Sequence, residues 1–157
     1  MLKASKIKPF LWFDDQAEDA AKLYTSIFPD SEIVQVARYP AGSPGPAGKV
    51  MTVAFRLGDQ DFVALNGGPQ FPFTEAVSFV VECAGQAEID YYWDKLTSGG
   101  GTPVQCGWLK DRFGLSWQVV PKDIGKYFRD AKVAERVMKA IMPMVKIDIR
   151  KIEEVAQ

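Results

Sequence analysis

The chain has 157 residues, of which 47% are hydrophobic and 25% are charged, and its formal net charge is −1. These values are typical of one globular domain, or of two small fused modules, with a buried core. A near-neutral charge with scattered Lys and Arg excludes a general electrostatic attraction to nucleic acid or anionic lipid, so we expect neither as a partner.

The N-terminal segment and the two cysteines indicate where in the cell the protein is expected. The apolar run before Asp14 is shorter than the apolar region of a signal peptide and far shorter than a membrane span. Cys83 and Cys106 form neither a metal-type pair nor a CxxC motif. We therefore expect a cytoplasmic protein with two reduced thiols, each lying in a strand.

The first half of the chain predicts one strand, one helix and three further strands. The first strand is residues 7–13, and Asp15 with Glu18 forms a D-x-x-E capping box for the helix. Apolar residues three or four positions apart give this helix one buried face: Ala17, Ala20, Ala21, Tyr24, Ile27 and Phe28. The other strands are predicted at residues 31–39, 49–57 and 61–66, with a Gly/Pro-rich loop at residues 40–48.

The second half predicts the same order of elements. A strand at residues 76–83 is followed by a helix at residues 86–97, which buries Ile89, Trp93 and Leu96. Glycines at residues 99–101 end the helix. Strands follow at residues 102–109 and 115–120, with a turn at 111–114. In the tail, helical spacing is set by Val133, Val137, Ile141 and Met144, and Asp148 caps a last short helix.

The two halves resemble each other. QAED at residues 16–19 and QAEID at residues 86–90 each open a helix after an aromatic strand. We therefore predict an α+β fold of paired βαβββ modules with C-terminal helices, in one domain of residues 1–157. Module one covers about residues 5–68, module two about 74–121, and the tail 122–157. One module alone cannot cover both faces of its sheet, so the two should pair around a cleft that holds a ligand.

Four segments carry a resemblance to a known superfamily. They are KPFLWFDDQAEDAAKLYTSIFPDSEI (residues 8–33), LNGGPQFPFTEAVSFVVEC (65–83), CGWLKDRFGLSWQVVP (106–121) and PMVKIDIRKIEEV (143–155). With these segments the chain resembles the vicinal oxygen chelate superfamily, which includes glyoxalases, bleomycin-binding resistance proteins, fosfomycin-modifying enzymes and extradiol dioxygenases. More narrowly, it resembles the PhnB-like branch, often labelled 3-demethylubiquinone-9 3-methyltransferase-like. The resemblance implies the paired βαβββ modules of the glyoxalase/bleomycin resistance type.

The resemblance also implies where a metal would be held. The ligand positions of the metal-using members fall on Pro9 or its neighbours, near Ala64, on Ala76 and on Gln118, which stands four residues after a turn glycine. None of these is a carboxylate or an imidazole, and the chain has no histidine. We therefore expect no metal and no other cofactor, with Gln118 acting as a hydrogen-bonding group.

The methyltransferase label implies an S-adenosylmethionine site, which commonly uses a glycine-rich turn between a strand and a helix. The glycines at residues 99–101 follow a helix, and the Gly/Pro-rich loop at residues 40–48 lies between strands. Neither turn would place a helix N-terminus behind a bound anion. We expect the label to be an inherited name.

Aromatic and amide side chains on strands define the predicted site. Its residues are Trp12, Asn66, Ser78, Glu82, Cys106, Trp108 and Gln118. Trp117 should face the helix layer because it alternates with Gln118, while Cys106 and Trp108 should share one strand face. Some of these residues also have a purely structural interpretation. The tryptophans would be core residues, and Asn66 would be a turn residue with positive φ. No nucleophile–base pair stands out, so catalytic residues remain unknown.

Three functions are compatible with these residues. We favour metal-free binding of a small, partly aromatic molecule between the modules of a homodimeric protein. One alternative is a metal-assisted, glyoxalase-like isomerase, lyase or transferase, in which Gln118 and either Glu75 or Glu82 would assemble a chelate. In the other, Phe71, Phe73 or the C-terminal helix fills the cleft and leaves only an interaction surface.

Overall fold

A computed structural model describes residues 6–157, which divide into two compact units, one ending at Phe73 and the other beginning at Thr74. The first unit contains β1 (Phe10–Phe13), α1 (Ala17–Ile27), β2 (Ser31–Arg38), β3 (Val50–Leu57) and β4 (Gln60–Asn66). The second contains β5 (Ser78–Cys83), α2 (Gln86–Thr97), β6 (Thr102–Pro103), β7 (Trp108–Lys110) and β8 (Ser116–Pro121). A 3-10 helix (Ile124–Phe128), α3 (Ala131–Ile141) and α4 (Ile149–Ala156) complete it. The order strand, helix, three strands therefore occurs twice, which confirms the predicted α+β class.

The sheet of the first unit has the strand order β1-β4-β3-β2, in which β1 and β4 are parallel and the other neighbours antiparallel. Strands β1, β4 and β3 alternate between a face that packs on α1 and an open face. The side chains buried on the helix side are Leu11, Phe13, Val53, Phe55, Phe62 and Ala64. The apolar face predicted for α1 meets them, and Ala17, Ala20, Ala21, Tyr24 and Ile27 are all buried.

The second sheet repeats this plan with the order β5-β8-β7-β6 and a parallel β5–β8 pair. Helix α2 has the predicted bounds and buries Ile89, Trp93 and Leu96. The strand residues buried on the same side are Val81, Cys83, Leu109, Trp117 and Val119. The alternate residues of β5, β7 and β8 lie on the open face, among them Gln118.

Three local predictions were wrong. Strand β1 begins at Phe10 rather than at Ile7, which is 80% exposed. The capping box is absent, because α1 has Gln16 at its N-cap and no side-chain hydrogen bond there. The strand predicted at residues 102–109 is interrupted, so that β6 ends at Pro103 and β7 begins at Trp108, with a tight turn between them.

The C-terminal tail packs on the second unit. Its buried residues are Val137, Ile141, Met144, Ile147 and Ile152. The Asp148 carboxylate caps α4 as predicted, by accepting from the Lys151 backbone N–H. Gly107, at φ +83°, brings the turn before β7 so close to the tail that a Cβ would stand 2.9 Å from Ile147 Cγ1. Among residues 6–157, no helix is both long and apolar enough to cross a membrane.

Candidate functional site

Gln118 and Ser78 meet on the open face of the second sheet. The Gln118 Nε2 group donates a hydrogen bond of 2.9 Å to Ser78 Oγ. In the strand ladders Gln118 pairs with Val80 of β5 and with Trp108 of β7. Two predicted site residues therefore touch each other, and a third lies directly beside them.

A buried carboxylate determines which way Gln118 points. Asp111, in the turn before β8, is only 3% exposed, and its Oδ2 accepts a 2.9 Å hydrogen bond from Trp117 Nε1. The other carboxylate oxygen accepts from the backbone N–H groups of Phe113 and Leu115. Because this anchors Trp117 on the helix side, Gln118 must lie on the open face, as predicted.

Ser116 lies on the same side of β8 as Gln118 and pairs with Ser78 in the ladder. It is 1% exposed, and its Oγ has no hydrogen-bond partner within the described residues. A buried hydroxyl without a partner is costly, since it has lost water without gaining a replacement. The sequence did not single out Ser116 as a site residue.

Two carboxylates lie near this face. Glu82 is exposed and lies on the same side of β5 as Ser78 and Val80. Glu75 forms an ion pair with Lys110, the β7 residue that pairs with Ser116. The hydrogen bond from Lys110 lowers the pKa of Glu75 below its usual value.

Cys106 does not lie on a strand, which corrects the prediction that it shares a strand face with Trp108. It adopts a left-handed backbone conformation with φ 61° in the turn before β7. Its N–H donates to Met144 O at 2.7 Å, and its thiol lies 3.5 Å from Met142 O. A left-handed residue in a tight turn cannot continue the β6 ladder, so the strand breaks there.

Cys83 does lie on a strand, at the buried end of β5, and is 1% exposed. Burial, aided by the nearby Glu88 carboxylate, raises the pKa of its thiol to about 11. Such a thiol is a small core side chain and a poor nucleophile at neutral pH.

Trp12 and Asn66 lie in the first unit. Asn66 ends β4 without a positive φ, which corrects its interpretation as a turn residue. Its Oδ1 accepts a 2.8 Å hydrogen bond from the Ala17 N–H, so this amide supplies the helix cap that the predicted capping box does not. Its Nδ2 donates to Val50 O.

Trp12 Nε1 donates to Gly68 O at 2.9 Å, and the Phe71 ring packs edge-on against Trp12 while remaining 63% exposed.

A cavity of about 950 Å³ opens beside Trp12 and Asn66 within the first unit. Several of its charged and aromatic lining residues were not predicted as site residues: Asp14, Asp15, Asp19, Arg38, Tyr39 and Lys49. The one signal in the sequence was the acidic run before and within the start of α1. That run fits a helix N-terminus equally well, so it did not indicate a cavity.

The positions that the resemblance assigns to a metal do not form a chelate. Ala64 is fully buried on the helix side of the first sheet, and Ala76 and Pro9 precede their strands. Gln118 offers a neutral amide. Within residues 6–157, no group of three or more His, Cys, Asp or Glu residues could hold a metal ion. The donor set does not fit the metal centre of the metal-using members.

The repeated βαβββ order and the two open-faced sheets define a protein of the glyoxalase/bleomycin resistance fold, within the vicinal oxygen chelate class. The chain belongs to the family described as 3-demethylubiquinone-9 3-methyltransferase, whose model matches residues 5–120. The match ends before the tail, so the resemblance predicted for residues 143–155 lies outside it. Among curated proteins, no sequence matches the chain.

Solved structures agree with this assignment. The PhnB protein from Bacillus cereus is 36% identical, with 74% of this chain and 99% of that chain covered and a TM-score of 0.68. Protein PA1353 from Pseudomonas aeruginosa is 24% identical over 75% and 98% of the two chains, with a TM-score of 0.58. The fosfomycin resistance protein FosX from Mesorhizobium loti is 11% identical over 82% and 99%, also with a TM-score of 0.58. The last two comparisons show the shared fold alone.

Proposed function

We propose that the protein binds a small organic molecule, without a metal, on the open face of the second sheet. The hydrogen bond between Gln118 and Ser78, with Trp108 beside it, is the observation that carries the proposal. The earlier predictions of a cleft between the modules, a homodimer and a cytoplasmic location remain predictions.

The polar part of this face favours neutral hydrogen-bonding groups. Once Gln118 Nε2 has donated to Ser78, the amide still offers its carbonyl oxygen and a second N–H, and the Ser78 hydroxyl still offers its hydrogen. A carbonyl, hydroxyl or amide of a ligand can satisfy such groups without bringing a charge.

The apolar part favours a flat or aromatic body. Val80 is 53% exposed although it lies in the middle of β5, and Trp108 flanks Gln118 on the other side. A ring placed over these side chains would bury apolar surface while its polar edge reached the amide. The supported ligand class is therefore a small, neutral aromatic compound with adjacent oxygen or nitrogen substituents.

Titration with salicylamide tests this proposal, because it is planar and neutral and carries adjacent hydroxyl and amide groups. Backbone NMR shifts should concentrate at residues 78, 80, 108 and 118 and should not change with EDTA. Gln118→Ala should weaken binding by about tenfold, the loss of one or two hydrogen bonds. Gln105→Ala is the matched control, because Gln105 is an exposed amide in the same unit and should leave the affinity unchanged.

Two results would count against the proposal. One is the absence of shifts at this face at millimolar salicylamide. The other is retention of nickel, zinc or manganese near one ion per chain after desalting, together with its loss in Gln118→Ala. That second outcome would favour the metal-assisted alternative.

A further inference from the structure

We propose that the cavity of the first unit is a separate binding site for a small organic cation with an apolar body. The cavity measures about 950 Å³ and is lined by residues between Trp12 and Gln70. Such a volume lies within the range of small-molecule sites in proteins. The proposal does not depend on the function assigned to the second sheet, because none of the residues argued there lines this cavity.

A hydrogen-bonded framework around Asn66 holds the walls of the cavity in place. The Asn66 side chain joins the start of α1 to the start of β3, through Ala17 N–H and Val50 O. Its backbone carbonyl accepts a 2.5 Å hydrogen bond from the hydroxyl of Tyr39, which directly follows β2. Gly67 N–H donates to Phe13 O at 2.8 Å. Three segments are therefore tied to Asn66 and a fourth to its neighbour Gly67, which favours a preformed pocket.

Two aromatic rings line the cavity, and glycines lie close to both of them. A Cβ on Gly67 would stand 2.3 Å from the Trp12 ring, so only glycine allows the backbone to lie against the indole. The indole N–H is bound to Gly68 O, and the Tyr39 hydroxyl to Asn66 O, which fixes both rings. Trp and Tyr rings attract cations through their electron-rich faces.

The charges around the cavity favour a cation over an anion. Four carboxylates line it, from Asp14, Asp15, Glu18 and Asp19, against two basic groups, from Arg38 and Lys49. Glu18 is paired with Lys22, which lies outside the cavity lining. Within residues 6–157, no ion pair engages the other three carboxylates, and none of them caps α1 by its side chain.

The start of α1 does not reverse this preference. A helix N-terminus attracts anions through its free N–H groups. The first of these, on Ala17, is already occupied by Asn66 Oδ1, and Asp14 and Asp15 stand directly in front of the helix. An anion entering here would meet like charge, whereas an ammonium group would meet carboxylates and two aromatic rings.

Two probes with nearly the same skeleton and opposite charge test the proposal on the full chain. Phenethylamine should shift the NMR signals of Trp12, Tyr39 and Gly67, and should bind at least about tenfold more tightly than 3-phenylpropionate. Added salt should weaken its binding, because the attraction is between exposed charges.

Charge-neutral variants then locate the site. The double variant Asp15→Asn/Asp19→Asn should weaken phenethylamine binding by about tenfold. The double variant Asp59→Asn/Asp94→Asn makes the same change in net charge on exposed residues outside the cavity and should leave the affinity unchanged. Gln118→Ala should also have no effect, which separates this site from the face of the second sheet.

The proposal fails if 3-phenylpropionate binds as tightly as phenethylamine, or if neither probe shifts Trp12. It also fails if the cavity variant and the control variant weaken binding equally, because the effect would then come from net charge alone.

Discussion

The two units share an element order, but they hold the start of their helices in different ways. In the first unit Asn66, which pairs with the last residue of β1, caps α1 with its amide. In the second unit the corresponding pair is Cys83 with Pro121, which has no amide to offer. There Gln86 bonds instead to the tail, donating to Ile147 O at 3.0 Å and accepting from Ile149 N–H at 2.9 Å.

The hairpins of the two units also differ, in the role of an aspartate at corresponding positions. LGDQ in the first unit and LKDR in the second place an aspartate two residues after a leucine. Asp59 lies exposed in a two-residue turn, in which Gly58 supplies the positive φ. Asp111 lies buried in a longer turn and binds three N–H groups. The same residue is solvated surface in one copy and an anchor in the other.

The outer strands of the two sheets, β2 and β6, differ in length, and the C-terminal tail binds the turn that follows the shorter strand. Strand β2 has eight residues, whereas β6 has two. The turn that replaces the rest of this strand donates two hydrogen bonds to the tail, from Cys106 N to Met144 O and from Gly107 N to Val145 O. An ion pair between Lys146 and Asp90 adds a further link to α2. A repeated sequence pattern therefore reproduces the topology, while the partners of individual side chains depend on what packs beside each copy.

The largest expected effect compares the two aspartates. Asp111→Ala should lower the free energy of unfolding by about 3–5 kcal/mol, because three N–H donors, two of them in buried hydrogen bonds, lose their charged acceptor. Asp59→Ala should change it by less than about 0.5 kcal/mol, as is usual for an exposed turn residue. Urea unfolding of both variants measures the difference. Equal losses would show that the hairpins are equivalent after all.

The next effect tests whether the tail belongs to the core of the second unit. Ile152 has no exposed surface, so Ile152→Ala should cost about 3 kcal/mol through lost burial and the cavity left behind. Ile7→Ala is the matched control in the first unit, where the side chain is 80% exposed and should contribute little. Thermal or urea unfolding suffices for both. An unchanged midpoint for Ile152→Ala would mean that the tail is not part of the cooperative fold.

Cys83 and Phe13 occupy equivalent strand ends, but only the thiol can titrate. Its pKa is about 11 in the folded protein against an ordinary value of 9.0. Below pH 9 both states are protonated. Between pH 9 and 11 only the unfolded state releases the proton, so stability should fall with rising pH, by at most about 3 kcal/mol.

Urea unfolding at pH 8, 9.5 and 10.5 measures this term. Cys83→Ala should flatten the fall, whereas Cys106→Ala should preserve it. At pH 8 a thiol reagent should label Cys106 before Cys83. Equal slopes for the two variants would contradict the assignment.

The smallest effect compares the two glutamines that open the helices. Gln86→Ala should cost about 1–2 kcal/mol, because it leaves Ile147 O and Ile149 N–H in the tail without their partner. Gln16 is exposed, and Gln16→Ala should be neutral within about 0.5 kcal/mol. Hydrogen exchange at Ile149 N–H gives a second readout, since only Gln86→Ala should accelerate it.

Much of the fold was predictable from local pattern. The face of α1, the bounds of α2, the hairpin at Gly58 and the cap at Asp148 follow from spacing, glycine and short polar side chains. Alternation with Trp117 predicted that Gln118 lies on the face of the sheet opposite the helix, and the structure confirms that face. The strand break at Cys106 was not predictable, because the tail that binds it lies far along the chain.

The two candidate sites differ in how far their residues could be predicted from the sequence. Ser78, Trp108 and Gln118 lie on three neighbouring strands, and they could be chosen in advance because alternation within each strand places one set of its residues on the open face. The cavity of the first unit escaped notice, because its lining combines β1, the start of α1, the loop after β2 and the end of β4, which no single strand or helix period relates. Asn66 was expected to be a turn residue or a ligand contact, and it is a helix cap whose partner lies 49 positions away in the chain.

The sequence by itself determined most of the helices and strands, the face of each sheet that packs on its helix, and the repeat. The reason is that periodicity and turn chemistry act within a few residues. Only the tertiary structure decided which of two like residues gains hydrogen-bond partners, as between Asp59 and Asp111 or Gln16 and Gln86. The physical reason is that a polar side chain is stabilised by partners close in space. Those partners come from segments that local sequence does not specify.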